Sequence, residues 1–204
     1  MKSKVLLTSM TVLLATVAGA NALEYKPFVG VNMGLQGVVY SDEAKDMERI
    51  SNIDFPADFF AFGIDAGVRA GSYNRIYNGG ITLSATKSTY SKIQHKYLEN
   101  RVASADLFNI ATTYDNFIRI SGDKDSRIDL VLGVGAGATA YHINPTNGDS
   151  NTKWSFAPEF KVGMDFELTK HFTLSATVRT MVPLRDNYAA DMSYIVGGGV
   201  KYMF

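Results

Sequence analysis

The chain has 204 residues and no cysteine, and its twenty Lys and Arg residues are matched by twenty Asp and Glu residues. The lack of cysteine excludes disulfides and thiolate chemistry, and the balanced charge provides no overall field that would recruit nucleic acid. A mean hydropathy of −0.03 suits a soluble protein as well as a strand-rich membrane protein, so the order of the residues must decide between them.

The N-terminal segment has the three parts of an export signal. Lys2 and Lys4 precede an uncharged apolar run at residues 5–18, and the small-residue triplet Ala20, Asn21 and Ala22 follows. This order is typical of a secretory signal peptide. The alternative is a membrane anchor, but the run is shorter than the ~20 apolar residues that a spanning helix needs. We predict a cleaved signal peptide at residues 1–22 and one mature domain at residues 23–204.

The mature segment alternates between apolar and polar residues. In chain order, the alternating segments are residues 29–36, 60–69, 81–86, 108–115, 128–139, 154–168, 172–179 and 193–204. Strict alternation is typical of a strand with one apolar face. In residues 154–168 the strand is about fifteen residues long, which exceeds the usual 3–10 residues of globular strands and favours a tilted strand that crosses a bilayer.

Glycine, serine and threonine crowd the polar face of these segments. A soluble β-sandwich also alternates, but its strands are shorter and its outer face is richly charged. A membrane barrel instead turns its apolar side chains to lipid and its polar ones to a narrow lumen. We therefore predict an all-β fold, an eight-stranded antiparallel transmembrane β-barrel with up-and-down topology, in the outer membrane.

The connections and strand ends complete the expected topology. Outer loops are predicted at residues 41–58, 87–103, 144–152 and 184–191, and inner turns at 73–75 and 169–171. The third inner connection, at 118–127, is expected to be longer and polar. Six aromatic residues near strand ends are expected to form girdles at the two membrane interfaces: Tyr40, Phe59, Tyr141, Trp154, Phe172 and Tyr202.

Two sequence features carry a family resemblance. They are the glycine-rich run Gly133-Val134-Gly135-Ala136-Gly137 and the closing Val200-Lys201-Tyr202-Met203-Phe204. Together with the export signal and the eight alternating segments, they resemble the small outer-membrane β-barrels of the opacity-type surface antigen and OmpA-like family. The resemblance implies that Val200, Tyr202 and Phe204 form a signal to the outer-membrane assembly machinery. It implies no catalytic residues, because the family has no universal ones.

Nine charged residues fall on the predicted lumen face: Asp65, Arg69, Asp129, Glu159, Lys161, Asp165, Glu167, Arg179 and Lys201. They predict either a mixed-sign network that fills the bore or an ion pathway whose pairs exchange. An eight-stranded barrel is only just wide enough inside for its own side chains, which favours the filled bore.

The histidines bear on the possibility of an enzyme. His142 is predicted to face lipid near the outer rim, whereas His95 lies in an outer loop and His171 in an inner turn. No serine and acid stand beside His142 in sequence, and no nucleophile, nucleotide or metal motif is present. We therefore expect no catalytic residues, cofactor or metal, and a lipid A-modifying enzyme is a weaker alternative.

The outer loops carry the remaining functional signal. The first predicted loop is acidic, and the second is basic through Lys87, Lys92, His95, Lys96 and Arg101. Loops on a rigid scaffold commonly bind ligands, so Lys92, Lys96 and Arg101 are candidates for contact with a host-surface or envelope ligand. We expect a monomeric structural or surface-interaction protein of the adhesin or antigen type, surrounded by outer-membrane lipids, and a narrow passive pore is the alternative.

Overall fold

A computed structural model of the chain describes residues 24–42, 58–71, 76–90, 102–122, 127–145, 151–184 and 190–204. They contain eight strands: β1 (Glu24–Tyr40), β2 (Asp58–Gly71), β3 (Tyr77–Tyr90), β4 (Val102–Gly122), β5 (Arg127–Pro145), β6 (Asn151–Glu167), β7 (Phe172–Met181) and β8 (Ala190–Met203). Each strand pairs antiparallel with its neighbours in the chain, and β8 pairs with β1. The predicted closed up-and-down barrel is confirmed. The predicted signal peptide lies outside the described residues.

The alternation in the sequence corresponds to the two faces of the barrel wall. On β2, Phe60, Phe62 and Ile64 point outward and are exposed, whereas Ala61 and Asp65 between them are buried. Apolar side chains therefore cover the outside and polar ones fill the inside, which is the reverse of a water-soluble barrel. No helix among the described residues is long and apolar enough to cross a membrane.

The register fixes the tilt of the strands. Residues opposite one another on successive strands, followed once around the sheet, run through Phe28, Gly67, Thr82, Thr113, Gly135, Glu159, Met181, Ser193 and Val38. The circuit thus returns to β1 ten residues further along the strand. Such a stagger requires the strands to tilt, by about 35–45° in closed barrels. A strand tilted in this way needs more residues to cross the same thickness than an upright strand would.

Close strand approach leaves no space for a side chain at Gly135 on the lumen face. A Cβ atom at Gly135 would overlap with the backbone oxygen of Thr112, which cannot move without disturbing β4. We expect Gly135→Ala to lower the free energy of unfolding by about 1–3 kcal/mol, the usual cost of overpacking. Gly198→Ala is the matched control, because its Cβ would meet only the oxygen of Ser175 at 3.2 Å. Urea unfolding in detergent micelles measures both, and equal stability of the two variants would contradict the assignment.

The predicted boundaries differ most from the structure at two places, and both predictions are wrong there. β3 continues to Tyr90, so Lys87 lies in a strand rather than in the second outer loop, and β4 and β5 leave only residues 123–126 between them. In both places the polar residues at the strand ends continue the backbone ladder, as the pairs of Lys87 with Phe108 and of Arg119 with Asp129 show. The apolar alternation therefore ends before the hydrogen bonding does.

Three of the six residues predicted for the aromatic girdles lie on the outer face, and the prediction is wrong for the other three, which face inward. Trp154, Phe172 and Tyr202 point outward and are exposed, whereas Tyr40, Phe59 and Tyr141 are buried inside the barrel. The three buried residues share the parity of inward-facing neighbours, since Phe59 alternates with the exposed Phe60 on β2. Proximity to a strand end was thus a poorer guide than parity.

Candidate functional site

The barrel interior holds a charged layer. It contains all nine charged residues predicted for the lumen, each of them buried: Asp65, Arg69, Asp129, Glu159, Lys161, Asp165, Glu167, Arg179 and Lys201. Three further ionisable residues belong to the same layer, namely the buried Asp115 and Arg127 and the partly buried Arg119. Their positions share the inward parity of β4 and β5, so the pattern that revealed the first nine could also have revealed these.

Arg69 is the centre of the largest ion-pair group. Its guanidinium donates to a carboxylate oxygen of Asp129 and, at 2.8 Å, to Glu167 Oε1. Asp129 also accepts from Arg127 Nε at 2.6 Å. The guanidinium carbon of Arg69 lies 4.5 Å from the ring centre of Phe117. Hydrogen-bonded partners on several sides are what a buried charge needs to be tolerated.

Three simpler pairs lie further along the bore. Arg179 Nη2 donates to both oxygens of Asp65 at 2.8 Å, and Lys201 Nζ lies 2.8 Å from Asp165 Oδ2. Lys161 pairs with Asp115, whose Oδ2 also accepts from the hydroxyl of Thr82. Some of these pairs join strands that are not neighbours in the sheet, such as β2 with β7. The charged layer therefore cross-links the wall through its centre.

The interior becomes uncharged towards one end of the barrel. This is the end at which β1 connects to β2 and β3 connects to β4. Gln36 Oε1 there accepts from the hydroxyl of Ser88 and the amide of Asn109. Around this neutral group lie the small buried hydroxyl residues Thr139, Ser155 and Ser193, and most of the other buried inward residues at this end are apolar or aromatic: Val38, Tyr40, Phe59, Ala61, Ala105, Leu107 and Tyr141. We call this set the neutral layer. It was not predicted from the sequence.

The two layers together fill the bore. Ion pairs occupy one part, and large side chains such as Phe59 and Leu107, each 1% exposed, occupy the other. A hydrated ion entering the neutral layer would have to exchange water for apolar side chains, which is unfavourable. The arrangement suits a solid anchor better than an open channel.

A second polar group lies on the outside of the wall, near the same end as the neutral layer. Asp106, His142 and Thr152 stand opposite one another on β4, β5 and β6. His142 Nδ1 lies 2.6 Å from Thr152 Oγ1, and Lys87 Nζ lies 3.5 Å from Asp106 Oδ2. We call these four residues the outer polar row. Sequence proximity could not reveal it, because strand register alone brings Asp106 and Thr152 beside His142.

The outer polar row borders a groove in the wall, with a volume of about 610 Å³. Its apolar lining includes Phe62, Ile64, Phe108, Ile110 and Trp154. His171 is far from this group, because it follows β6 at the opposite end, stacks on Tyr202 and lies 2.9 Å from the oxygen of Met203. Within the described part of the chain, no three His, Asp or Glu residues are arranged to hold a metal ion.

The remaining predicted site residues fall into two sets. Val200, Tyr202 and Phe204 lie on the exposed outer face, where Tyr202 packs edge-to-face against both Phe172 and Phe204. The assembly signal at these three residues stays a prediction. The candidate loop residues Lys92, Lys96 and Arg101 lie outside the described residues.

Known structures share this fold. Neisserial surface protein A matches with a TM-score of 0.60 and 14% identity, over 90% of this chain and 100% of that one. Ail, the attachment invasion locus protein of Yersinia pestis in complex with the heparin analogue sucrose octasulfate, matches with a TM-score of 0.56 and 13% identity, over 89% and 99%. A major outer membrane protein from Thermus thermophilus matches with a TM-score of 0.52 and 12% identity, over 89% and 100%.

The level of similarity determines what these matches mean. No family model matches the chain, and no curated protein matches it. At identities of 12–14% the solved structures establish the architecture alone. The expected resemblance is confirmed at that level: the chain has the fold of the small outer-membrane β-barrels.

Proposed function

We propose that this protein is a monomeric outer-membrane surface protein that is anchored by its barrel and binds an anionic ligand through its outer loops. The observation that carries the proposal is the combination of an apolar outside with a filled inside. Such a wall is suited to lipid, and buried ion pairs and apolar side chains occupy its bore. The connections between strands are then the parts of the molecule that are available for recognition.

The lengths of the connections support an orientation. Residues 41–57, 91–101, 146–150 and 182–189 connect strands at one end of the barrel, and three of these four connections are longer than those at the other end, which are 72–76, 123–126 and 168–171. Outer-membrane barrels have short periplasmic turns and longer extracellular loops. The end with the longer connections, which is also the end of the neutral layer, is therefore the extracellular one.

The ligand class is inferred from charge. The connection at residues 91–101 contains Lys92, Lys96 and Arg101, whose side chains suit sulfate or carboxylate groups through charge-assisted hydrogen bonds. The structurally similar Ail was solved with a heparin analogue, sucrose octasulfate. Both observations support a sulfated or otherwise anionic surface polysaccharide as the ligand.

The test is a triple substitution of Lys92, Lys96 and Arg101 by glutamine. We expect binding to immobilised heparin to weaken by about tenfold or more, because charge-assisted hydrogen bonds are lost. Wild-type binding should also weaken with added salt, since exposed charges are screened over about 8 Å at physiological ionic strength. The difference between boiled and unboiled electrophoretic mobility should persist, because these residues lie outside the eight described strands.

A control with the opposite charge tests the specificity of this result. Replacing Asp42, Glu43 and Asp46 of the first connection by amides should leave heparin binding unchanged or strengthen it. Unchanged binding by the basic triple variant would contradict the ligand class. Steady conductance in planar bilayers that shifts when Arg69 or Glu159 is replaced would instead identify a pore, and a fully water-extractable product would contradict the membrane anchor.

A further inference from the structure

The outer polar row places a cation on the face that contacts lipid. Lys87 lies on the outward face of β3, is 52% exposed, and has its Nζ 5.3 Å from the ring centre of Phe108. The next outward residues along β3 towards the other end are Ala85 and Leu83. Ionisable residues on a lipid-facing surface are costly and commonly mark a functional site. Near the interface the cost is small enough for a phosphate group to compensate.

Only one of the two carboxylate oxygens of Asp106 lies near a cation. Its Oδ2 lies 3.5 Å from Lys87 Nζ, whereas its buried Oδ1 has no hydrogen-bond partner within the described part of the chain. A carboxylate oxygen without a donor is unfavourable when it is shielded from water. A ligand that brings a hydroxyl or amide N–H to this oxygen would remove the penalty. A simple phosphate would not, because it would bring a second negative charge.

The groove supplies an apolar surface directly beside these charges. Phe62, Ile64 and Ile110 line it on the side towards the middle of the wall, and Trp154 borders it near the outer rim. Tryptophan is enriched at this depth of outer-membrane barrels. The groove is therefore apolar where acyl chains would lie and polar where headgroups would lie.

We propose that the groove and the outer polar row bind a phosphorylated glycolipid of the outer leaflet. One acyl chain lies along Phe62, Ile64 and Ile110, a phosphate accepts from Lys87, and a sugar hydroxyl or amide donates to Asp106 Oδ1. The hydrogen bond between His142 and Thr152 holds the adjacent strands of the site together. The proposal rests on the proposed outer-membrane orientation, because only that orientation places the site in the outer leaflet.

The single tryptophan of the chain provides the assay, since Trp154 itself borders the groove. Purified protein in detergent micelles is titrated with bisphosphorylated lipid A while the fluorescence of Trp154 is followed. We expect a saturable change, and we expect Lys87→Gln to weaken the apparent affinity by about tenfold, the loss of one charge-assisted contact. For dephosphorylated lipid A, the wild type and Lys87→Gln should bind equally.

The Asp106 contact predicts a change in selectivity. The wild type should bind bisphosphorylated lipid A more tightly than phosphatidic acid, which has a phosphate but no sugar. Asp106→Ala should reduce the ratio of these two affinities. Lys153→Gln is the matched control. It removes the same charge from the same end of the barrel but lies outside the groove lining, so it should leave the affinity for lipid A unchanged.

Three results would overturn the proposal: equal affinity of the wild type and Lys87→Gln for bisphosphorylated lipid A, an equal loss for dephosphorylated lipid A, or no preference over phosphatidic acid. If any of these occurs while the protein fractionates with the outer membrane and binds heparin, the proposed function stands and only the lipid site is wrong. A chain that is water-extractable would contradict both.

Discussion

Val162→Arg is expected to lower the free energy of unfolding by about 2–4 kcal/mol, the cost of a cation at the bilayer midplane on the lipid face of a barrel. Val162 is 53% exposed on the outer face of β6, between Phe160 and Met164 and away from either strand end. The measurement is reversible urea unfolding in lipid vesicles, followed through the change in electrophoretic mobility on boiling.

The same strand offers a control at the membrane interface. Leu168 follows β6 directly at the short-turn end and is 56% exposed, so Leu168→Arg should cost only about 0–1 kcal/mol. Equal costs at the two positions would mean that the described outer face does not contact hydrocarbon at Val162. A larger cost at Leu168 would place the midplane near the short-turn end.

Arg69→Met should destabilise the barrel by about 3–5 kcal/mol, because removing one partner of a buried ion pair leaves the other charge uncompensated. Arg69 contacts the carboxylates of both Asp129 and Glu167. The substitution would remove both of these contacts, although Asp129 would retain its ion pair with Arg127. Unfolding in vesicles at neutral pH measures the loss.

Two further variants separate charge from geometry. Arg69→Lys should recover only part of the stability, because an ammonium group cannot reproduce the two-pronged contact of a guanidinium. Lys153→Met removes a cation from an exposed position and should change stability by about 0.5 kcal/mol or less. Wild-type stability of Arg69→Met would show that water replaces the guanidinium in the bore and that the charged layer does not cross-link the wall.

Side-chain parity made the architecture predictable. In residues 154–168 every even position is apolar and most odd positions are polar or charged, so the two faces of β6 could be assigned without a structure. The same parity placed Asp65, Arg179 and Lys201 inside. Alternation has a period of two in any strand, so this inference depends on no contact that is distant in the chain.

The alternation of side chains could not reveal the neutral layer, because it does not give the position of each residue along the barrel axis. Phe59 and Leu107 are apolar residues on the inward face, and an alternation in hydrophobicity treats such residues as noise. Phe59 and Leu107 can be recognised as one layer only when the stagger of ten residues around the barrel is known, because the stagger brings them to the same height along the barrel axis. That stagger cannot be inferred from the local sequence.

The outer polar row shows a similar limit. Asp106 and His142 are opposite each other because of the register between β4 and β5, and a shift of one residue would turn one of them inward. Turn geometry and side-chain pairing determine register, and neither is evident in the sequence of residues 123–126. His142 was therefore located correctly, whereas its neighbours could not be identified.

The seam between β1 and β8 has a consequence for how the barrel folds. Phe28 pairs with Met203, and Arg179 meets Asp65 across 114 residues of sequence, so closure depends on contacts between distant parts of the chain. Such contacts slow folding, because the entropy of loop closure is lost before they form. Until the seam closes, β1 and β8 would each present unpaired N–H and C=O groups to hydrocarbon, at several kcal/mol per group. Partly closed states are therefore strongly disfavoured in the bilayer, and the barrel should unfold cooperatively as a unit rather than strand by strand.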